Sequence, residues 1–291
     1  MSDPVSIGAL WRGWRDVLGR LGFETAALDA KLLTGHALGL DALSLATREQ
    51  EPVAAADAER VAALLQRRVG GESVARIIGE REFFGLAFAL NAATLEPRPD
   101  TELLVELAIE ALPQGGRLLD LGTGTGCIPI AVLANRPDAI GLATDISGEA
   151  LEMARANAAR HRVVDRLGFA RGNWFEALSA NEESVREFDL IVSNPPYITS
   201  AVVETLAPEV KDFDPRLALD GGSDGLAPYR IIAAQAQDFL VPGGKVLVEI
   251  GYDQGSSVSA MFSEHGFADI VVHKDLNGLD RVISGHHLKD K

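Results

Sequence analysis

Apolar residues recur at two different spacings along this chain, and the change from one to the other divides it. Near the start, Ile7, Leu10, Trp11, Trp14, Val17, Leu18 and Leu21 fall at helical spacing, and Gly22 ends the run. Leu28, Leu32, Leu33 and Ala37 predict a second helical stripe closed by Gly39, while Val61, Leu64 and Leu65 lie on a third. Glu51-Pro52 breaks the chain between them. Residues 1–73 therefore read as a small helical bundle, with the tryptophans as core packing. Residues 76–95 change character: Phe84, Leu86, Phe88 and Leu90 alternate around Gly85, as in a hairpin or a pair of short strands. That makes residues 74–97 a connector. Pro97-Arg98-Pro99-Asp100 then stops the strand, and Asp100 or Thr101 can cap a helix running to about Leu112.

From Arg117 onward the pattern is strand, turn, helix, repeated. Strands are predicted at 117–121, 140–144, 169–171, 188–193 and 245–250, with helical stretches such as 147–161 and 226–240 between them. Two late strands, 270–273 and 281–284, flank a turn at Asn277-Gly278. Strands alternating with helices predict an α/β sheet, mostly parallel, over residues 98–291, with ligands at the carboxyl ends of its strands.

Composition narrows the function classes. The chain has 291 residues, 47% hydrophobic, with a formal net charge of −15. Residues 1–75 carry 8 basic and 10 acidic side chains and the remainder 19 and 32, so the acidic excess lies in the sheet-forming part. An acidic body repels a phosphate backbone, and direct nucleic-acid binding is not expected. The single cysteine, Cys127, excludes an intramolecular disulfide and a cysteine-built metal site. The amino terminus lacks the basic-then-apolar order of a signal peptide, and no apolar run is long enough to span a bilayer. A cytoplasmic setting without membrane attachment is the expectation. The six histidines show no metal-ligand spacing; His286-His287 reads as a solvated tail and Asn181-Glu182-Glu183 as a solvated loop. No metal is expected.

Two loops carry the candidate chemistry. Asp120-Leu121-Gly122-Thr123-Gly124-Thr125-Gly126 follows an apolar strand and opens a helix. Its glycines allow a sharp turn and close approach of a ligand. The dinucleotide fingerprint needs a glycine where Cys127 stands, so the loop suits a ligand without a pyrophosphate. Asp145, 19 residues after Gly126 at the end of the next strand, can accept hydrogen bonds from ribose hydroxyls. Loop and carboxylate together indicate an adenosine-containing ligand, S-adenosylmethionine or NAD. Trp174, after Asn173 at the end of the third strand, is suited either to the adenine face or to the core.

The fourth strand runs directly into Asn194-Pro195-Pro196-Tyr197. Each proline fixes its own φ and disfavours the α conformation in the residue before it, which makes a stiff, extended loop. The side-chain oxygen of Asn194 and the backbone oxygen of Pro195 can accept the two N–H bonds of a planar NH₂ group. Tyr197 can stack on that group. Such a grip aims a poorly nucleophilic nitrogen at a methyl donor, so catalysis is mainly positioning. An amide and an adenine amino group both fit.

Along nearly its whole length the chain resembles the release-factor glutamine N(5)-methyltransferases, the PrmC (HemK) family. The resemblance is carried by Ile77-Ile78-Gly79-Glu80 with Phe83-Phe84-Gly85, by Pro97-Arg98-Pro99-Asp100-Thr101-Glu102, and by Asn194-Pro195-Pro196-Tyr197. Further stretches are Phe213-Asp214-Pro215-Arg216-Leu217-Ala218-Leu219, Gly221-Gly222-Ser223-Asp224-Gly225-Leu226 and Asp275-Leu276-Asn277-Gly278-Leu279-Asp280-Arg281. Glu96 and Asp100 depart from the family's usual residues. The resemblance implies a Rossmann-like, seven-stranded S-adenosylmethionine-dependent methyltransferase sheet behind a helical substrate-recognition domain. It implies that Gly122, Thr123, Gly124, Thr125, Gly126, Asp145, Trp174 and Asn194 contact S-adenosylmethionine, and that Asn194, Pro195, Pro196 and Tyr197 hold the substrate. That substrate is the glutamine in the Gly-Gly-Gln motif of class I peptide chain release factors. Competing readings are a ribosomal-protein glutamine or adenine-N(6) methyltransferase, a non-catalytic S-adenosylmethionine-binding module, and a nicotinamide oxidoreductase.

Overall fold

A computed structural model describes residues 5–178 and 187–288, so Asn181-Glu182-Glu183 lies outside the described residues. The chain divides into two compact units, Met1–Glu80 and Arg81–Lys291. The first contains α1 (Ile7–Arg20), α2 (Ala26–Leu38), α3 (Ala42–Thr47), α4 (Ala55–Val69) and α5 (Val74–Ile78). Ser6, Asp41 and Ser73 cap α1, α3 and α5 by accepting backbone N–H bonds. Gly39, at φ 65°, closes α2 in the left-handed conformation that glycine tolerates.

Leu18, Ala26, Ala30, Leu33, Val61, Leu65 and Ile77 form one core of this unit, and Ile7, Trp11, Leu45 and Val53 a smaller one. Two details differ from the apolar pattern. Leu28 and Leu32 of α2 are exposed, and the inward face carries Asp29, Ala30 and Leu33 instead. That face packs Ala26, Ala30 and Leu33 into the core, and its Asp29 is matched by the buried guanidinium of Arg68 on α4 at 2.7 Å. Residues 74–78 are helical rather than extended, and their Ile77 joins the core, so the helical unit runs past residue 73.

In the second unit, β1 (Glu80–Phe83) and β2 (Leu86–Ala89) form a hairpin whose turn residues Phe84 and Gly85 both have positive φ. A single 3₁₀ turn at Pro99–Thr101 leads into α6 (Glu102–Ala111). There follow β3 (Arg117–Leu121), α7 (Cys127–Asn135), β4 (Ile140–Asp145), α8 (Gly148–Arg160), β5 (Leu167–Arg171) and β6 (Phe188–Ser193). Two short helices, α9 (Ser200–Val203) and α10 (Pro208–Lys211), precede α11 (Ala227–Gln235), β7 (Leu240–Glu249), α12 (Gly255–Glu264), β8 (Phe267–Lys274) and β9 (Asp280–His287).

The sheet has seven strands in the order β5-β4-β3-β6-β7-β9-β8. Its first five are parallel, and β9 runs antiparallel to both β7 and β8. Successive strand residues face opposite sides of the sheet. Leu118, Leu190, Val192 and Leu247 join a core with residues of α6 and α7, while Leu119, Ile191, Val246 and Val248 join one with residues of α11 and α12. This is the α/β architecture expected from the sequence. His286 and His287 pair with Lys245 and Phe267 inside the ladder, which overturns their reading as a solvated tail. Among the described residues, no helix is long and apolar enough to cross a membrane.

Strand β3 lies between β4 and β6, and the chain leaves it toward β4 and β5 before returning to β6. Loops after β3 and β6 therefore open a crevice at the carboxyl edge, the usual ligand position in such sheets.

Candidate active site at the carboxyl edge of the sheet

A cavity of about 540 Å³ occupies this crevice, and Gly122, Thr123, Gly124, Thr125, Asp145, Trp174, Asn194 and Pro196 line it. Segments at the ends of four neighbouring strands, β3, β4, β5 and β6, thus converge on it. Gly126, Pro195 and Tyr197 are not among the lining residues. Gly126 has a packing role: at φ 79°, a Cβ there would lie 2.8 Å from Ile130 Cδ1 and 3.1 Å from Ala154 Cβ. Glycine at this position lets α7 start close against α8. Cys127, the first residue of α7, is buried, and burial pushes its thiol up to about 12, so it stays a neutral packing group.

The glycine loop is held by the next strand. Gly122 and Thr123 donate backbone N–H bonds to the carbonyl of Thr144, and Gly124 donates to Asp145 Oδ2 at 2.9 Å. Asp145 Oδ1 accepts from the N–H of Ser147. Burial raises the Asp145 carboxyl, and the backbone N–H groups of Ser147 and Gly124 oppose that rise. Both of its oxygens are thereby oriented, with lone pairs left for ribose-type hydroxyls.

Asp120, the last but one residue of β3, was not singled out by its motif. It is fully buried, and neither oxygen has a hydrogen-bond partner among the described residues. Burial pushes its carboxyl up to about 7; the nearby Thr123 hydroxyl opposes the rise, and Asp145 reinforces it. The Thr123 hydroxyl influences Asp120 without making an aligned hydrogen bond to it. Two carboxylates behind a glycine loop suit a ligand bearing positive charge, which would stabilise both in their ionised form. An aminoacyl sulfonium such as S-adenosylmethionine meets that description, and the residues present fit it.

On the other side, the Asn-Pro-Pro-Tyr loop is clamped from behind. Ile198 N–H donates to Leu219 and Gly221 N–H donates back to Ile198. A Cβ on Gly221 would approach the Pro196 carbonyl oxygen to 2.7 Å, and one on Gly225 the Tyr197 oxygen to 2.4 Å. Those glycines let a second backbone lie directly on the loop. Gln254 Nε2 donates to the Tyr197 carbonyl at 3.1 Å. Asn194 Nδ2 donates to Thr101 Oγ1 at 3.1 Å, and among the described residues no donor occupies Asn194 Oδ1. Tyr197 packs against the core and directs its hydroxyl 3.4 Å from Glu249 Oε1.

The Pro97-to-Glu102 segment ties the same region together. Arg98 Nη2 meets the buried Asp214 carboxylate at 2.7 Å, and Asp100 Oδ2 meets Arg281 at 3.1 Å. Glu96 is buried beside Arg81 at 3.4 Å. The two departures from the family pattern therefore each have an ionic partner. Thr101 occupies the first position before α6, but its side chain makes no capping bond, contrary to the cap predicted there. Its hydroxyl is used on Asn194 instead. Among the described residues, no group of His, Cys, Asp and Glu side chains has the arrangement of a metal site.

The order of this sheet and its fold are those of a methyltransferase. A solved methyltransferase from Pyrococcus furiosus shares the fold at TM-score 0.53 and 19% identity, over 77% of this chain and 97% of that one. Residues 98–210 match the Methyltransferase small domain family, and residues 9–79 match the PrmC N-terminal domain family. Sequence relatives are more selective. The release factor glutamine methyltransferase of Agrobacterium fabrum is 48% identical over 269 residues, covering 90% of this chain and 91% of the relative. That of Rhodospirillum rubrum is 46% identical over 263 residues, covering 90% and 79%. The chain belongs to the release factor glutamine methyltransferase family.

Proposed function

We propose that the protein transfers a methyl group from S-adenosylmethionine to the side-chain amide nitrogen of the glutamine in the Gly-Gly-Gln motif of class I peptide chain release factors. The observation that carries this reading is the fixed Asn194 amide. Its nitrogen end is occupied by Thr101 and its oxygen end is open, on a loop that borders the same cavity as the glycine loop. An acceptor held in that way suits an incoming NH₂ group.

The chain's own residues would do positioning and charge stabilisation. Gly122, Thr123, Gly124, Thr125, Asp145 and Trp174 would hold the donor, with Asp120 balancing its positive charge. The Asn194 oxygen and the Pro195 carbonyl would take the two amide N–H bonds, and Pro196 and Tyr197 would keep the loop rigid. Bound S-adenosylmethionine supplies an electrophilic methyl carbon on a sulfonium. Transfer would form the N–C bond at the expense of the donor's S–C bond, leaving a neutral thioether. The nitrogen would give up one proton to water, the loop oxygens accepting only its hydrogen bonds. No metal enters this scheme. The helical unit would recognise the release factor, in the cytoplasm and without membrane or direct nucleic-acid contact. The acidic balance complements the basic surface of a ribosome-binding partner and would speed encounter.

The test is methyl incorporation from labelled donor into a class I release factor and into the same factor with the motif glutamine replaced by alanine. Label on the first and none on the second is expected. Label persisting on the alanine factor, or passing only to nucleic acid, would overturn the assignment.

A further inference from the structure

A loop that grips through two acceptors works only if both are aimed, so each end of it must be fixed. The near end of Asn194-Pro195-Pro196-Tyr197 is fixed by the sheet. Ser193, the last residue of β6, pairs with Leu121 on one side and Val248 on the other, and its hydroxyl donates to the Leu121 carbonyl at 2.7 Å. Pro195 and Pro196 carry no N–H, so the loop has few bonds of its own with which to hold its far end.

One side chain holds that end. Gln254 stands at the start of α12, in the turn that follows β7, and its amide meets three backbone groups. Oε1 accepts from the Gly251 N–H at 2.9 Å, while Nε2 donates to the Tyr197 carbonyl at 3.1 Å and to the Gly225 carbonyl at 3.2 Å. An N–H on one side and two carbonyls on the other fix which way the amide faces. Glycines make room for it. A Cβ on Gly225 would collide with the Tyr197 oxygen and lie 2.9 Å from Gln254 Nε2, and one on Gly251 would lie 3.1 Å from Gln254 Oε1. The Gln254 backbone is held as well, its N–H donating to the Gly251 carbonyl and its own carbonyl accepting from Val258. The residue is half-buried and is not among those lining the cavity.

We propose that Gln254 is a positioning residue for methyl transfer, which fixes the far end of the Asn-Pro-Pro-Tyr loop and so aims the Asn194 and Pro195 oxygens. With Ser193 held at one end and Tyr197 at the other, the two prolines between them leave the loop little freedom to turn. Without the Gln254 N–H bonds, the Tyr197 and Gly225 carbonyls lose the donor they share. The backbone bonds of Ile198 with Leu219 and Gly221, and of Ser200 with Gly222, would then hold the two segments together without it. A displacement of the loop by about 1 Å is enough to slow a reaction that depends on aim by about 100-fold.

This inference rests on the gripping role given to Asn194 and Pro195, and its test includes a readout free of that role. Gln254→Glu keeps the acceptor for Gly251 and puts an oxygen in place of the donor; Gln254→Met keeps the shape and removes both. With a class I release factor, each should lower kcat about 30-fold, with KM and donor Kd within about threefold of wild type. On an Asn194→Ala background, Gln254→Met should cost only about threefold more, because one of the two acceptors it aims is already gone. Independently, hydrogen exchange followed by NMR should show the Ile198 and Gly221 amides exchanging about tenfold faster in both variants, with Leu247 and Val248 in β7 unchanged. Wild-type kcat in Gln254→Glu overturns the proposal, since the Gly251 contact alone would then suffice. So does an undiminished loss on the Asn194→Ala background, or unchanged exchange at Ile198 and Gly221, whatever the substrate proves to be. A wild type inactive on the release factor would instead sink the functional reading, and the exchange comparison would still decide this one.

Discussion

The helical unit and the strand ends of the sheet unit treat buried charge in opposite ways. In the helical unit, Asp29 and Arg68 are buried together at 2.7 Å, and Arg68 also donates to the Glu72 carbonyl and lies over the Phe23 ring. Among the described residues Asp29 and Arg68 are the buried charges of that unit, and each meets the other, although the buried Thr34 hydroxyl has no partner. In the sheet unit, Asp120 has neither oxygen partnered, and Glu249 Oε2 has no partner among the described residues. Both carboxyls lie at the carboxyl ends of parallel strands and are pushed up to about 7 by burial. A paired buried charge specifies packing; an unpaired one at a strand end marks a place where a ligand or a network is to be completed.

Breaking the pair in the helical unit should have the largest effect. Asp29→Ala leaves the Arg68 guanidinium buried without its carboxylate and should destabilise the unit by about 3–5 kcal/mol in chemical denaturation. Replacing both residues by apolar side chains of similar volume should recover most of that loss. If Asp29→Ala costs no stability, the pair is not structural and the contrast between the units fails.

The matching break in the sheet unit acts on rate, not on stability. Asn194→Ala should lower kcat about 100- to 1000-fold while leaving most donor affinity, measured by titration calorimetry, intact. Turnover at the wild-type rate would remove the positioning argument.

Asp120 offers a third test with a defined sign. Its folded carboxyl stands near 7 against an ordinary 3.8, so the native state holds more protons than the unfolded chain between those values. Stability should therefore fall as pH rises through that window. Asp120→Asn should flatten the fall and, at pH 8, raise stability by about 2 kcal/mol in the absence of ligand. It should also weaken donor binding about tenfold, because the charge balancing the sulfonium is gone. A residual slope should remain, since Glu249 is shifted in the same direction. A variant less stable than wild type at pH 8 would show that Asp120 is satisfied in the fold.

The smallest effect is expected on the exposed side of α2. Leu28→Ser with Leu32→Ser should alter stability by less than about 0.5 kcal/mol, because both side chains face solvent. If the helical unit recognises the release factor, KM for the factor should rise several-fold with kcat unchanged; an unchanged KM would place recognition elsewhere.

Much of the fold was legible because the strands of the sheet are short apolar runs bounded by glycine and proline. The predicted 117–121 and 188–193 strands coincide with β3 and β6. Asn194 and the glycine loop were legible for the same reason, as each follows directly on its strand. Glu249 and Asp120 carried a weaker signal, a lone carboxylate within Val246-Leu247-Val248-Glu249-Ile250 and Leu118-Leu119-Asp120-Leu121. Thr101 carried a misleading one, because a threonine before a helix looks like a cap. On α2, helical periodicity alone allowed Leu28 and Leu32 to face inward, but the buried face is the one carrying Ala26, Ala30 and Leu33, with Asp29 paired to Arg68.

By itself the sequence determined the alternation of strand and helix, the stiffness of the Asn-Pro-Pro-Tyr loop and the turn of the glycine loop. Those depend on residues that are neighbours along the chain, whose φ angles and periodicities are local properties. Only the tertiary structure decided what the Asn194 amide meets, since its nitrogen donates to a hydroxyl 93 residues earlier in the chain. That contact joins the start of α6 to the end of β6, and the spacing within either one leaves no trace of it.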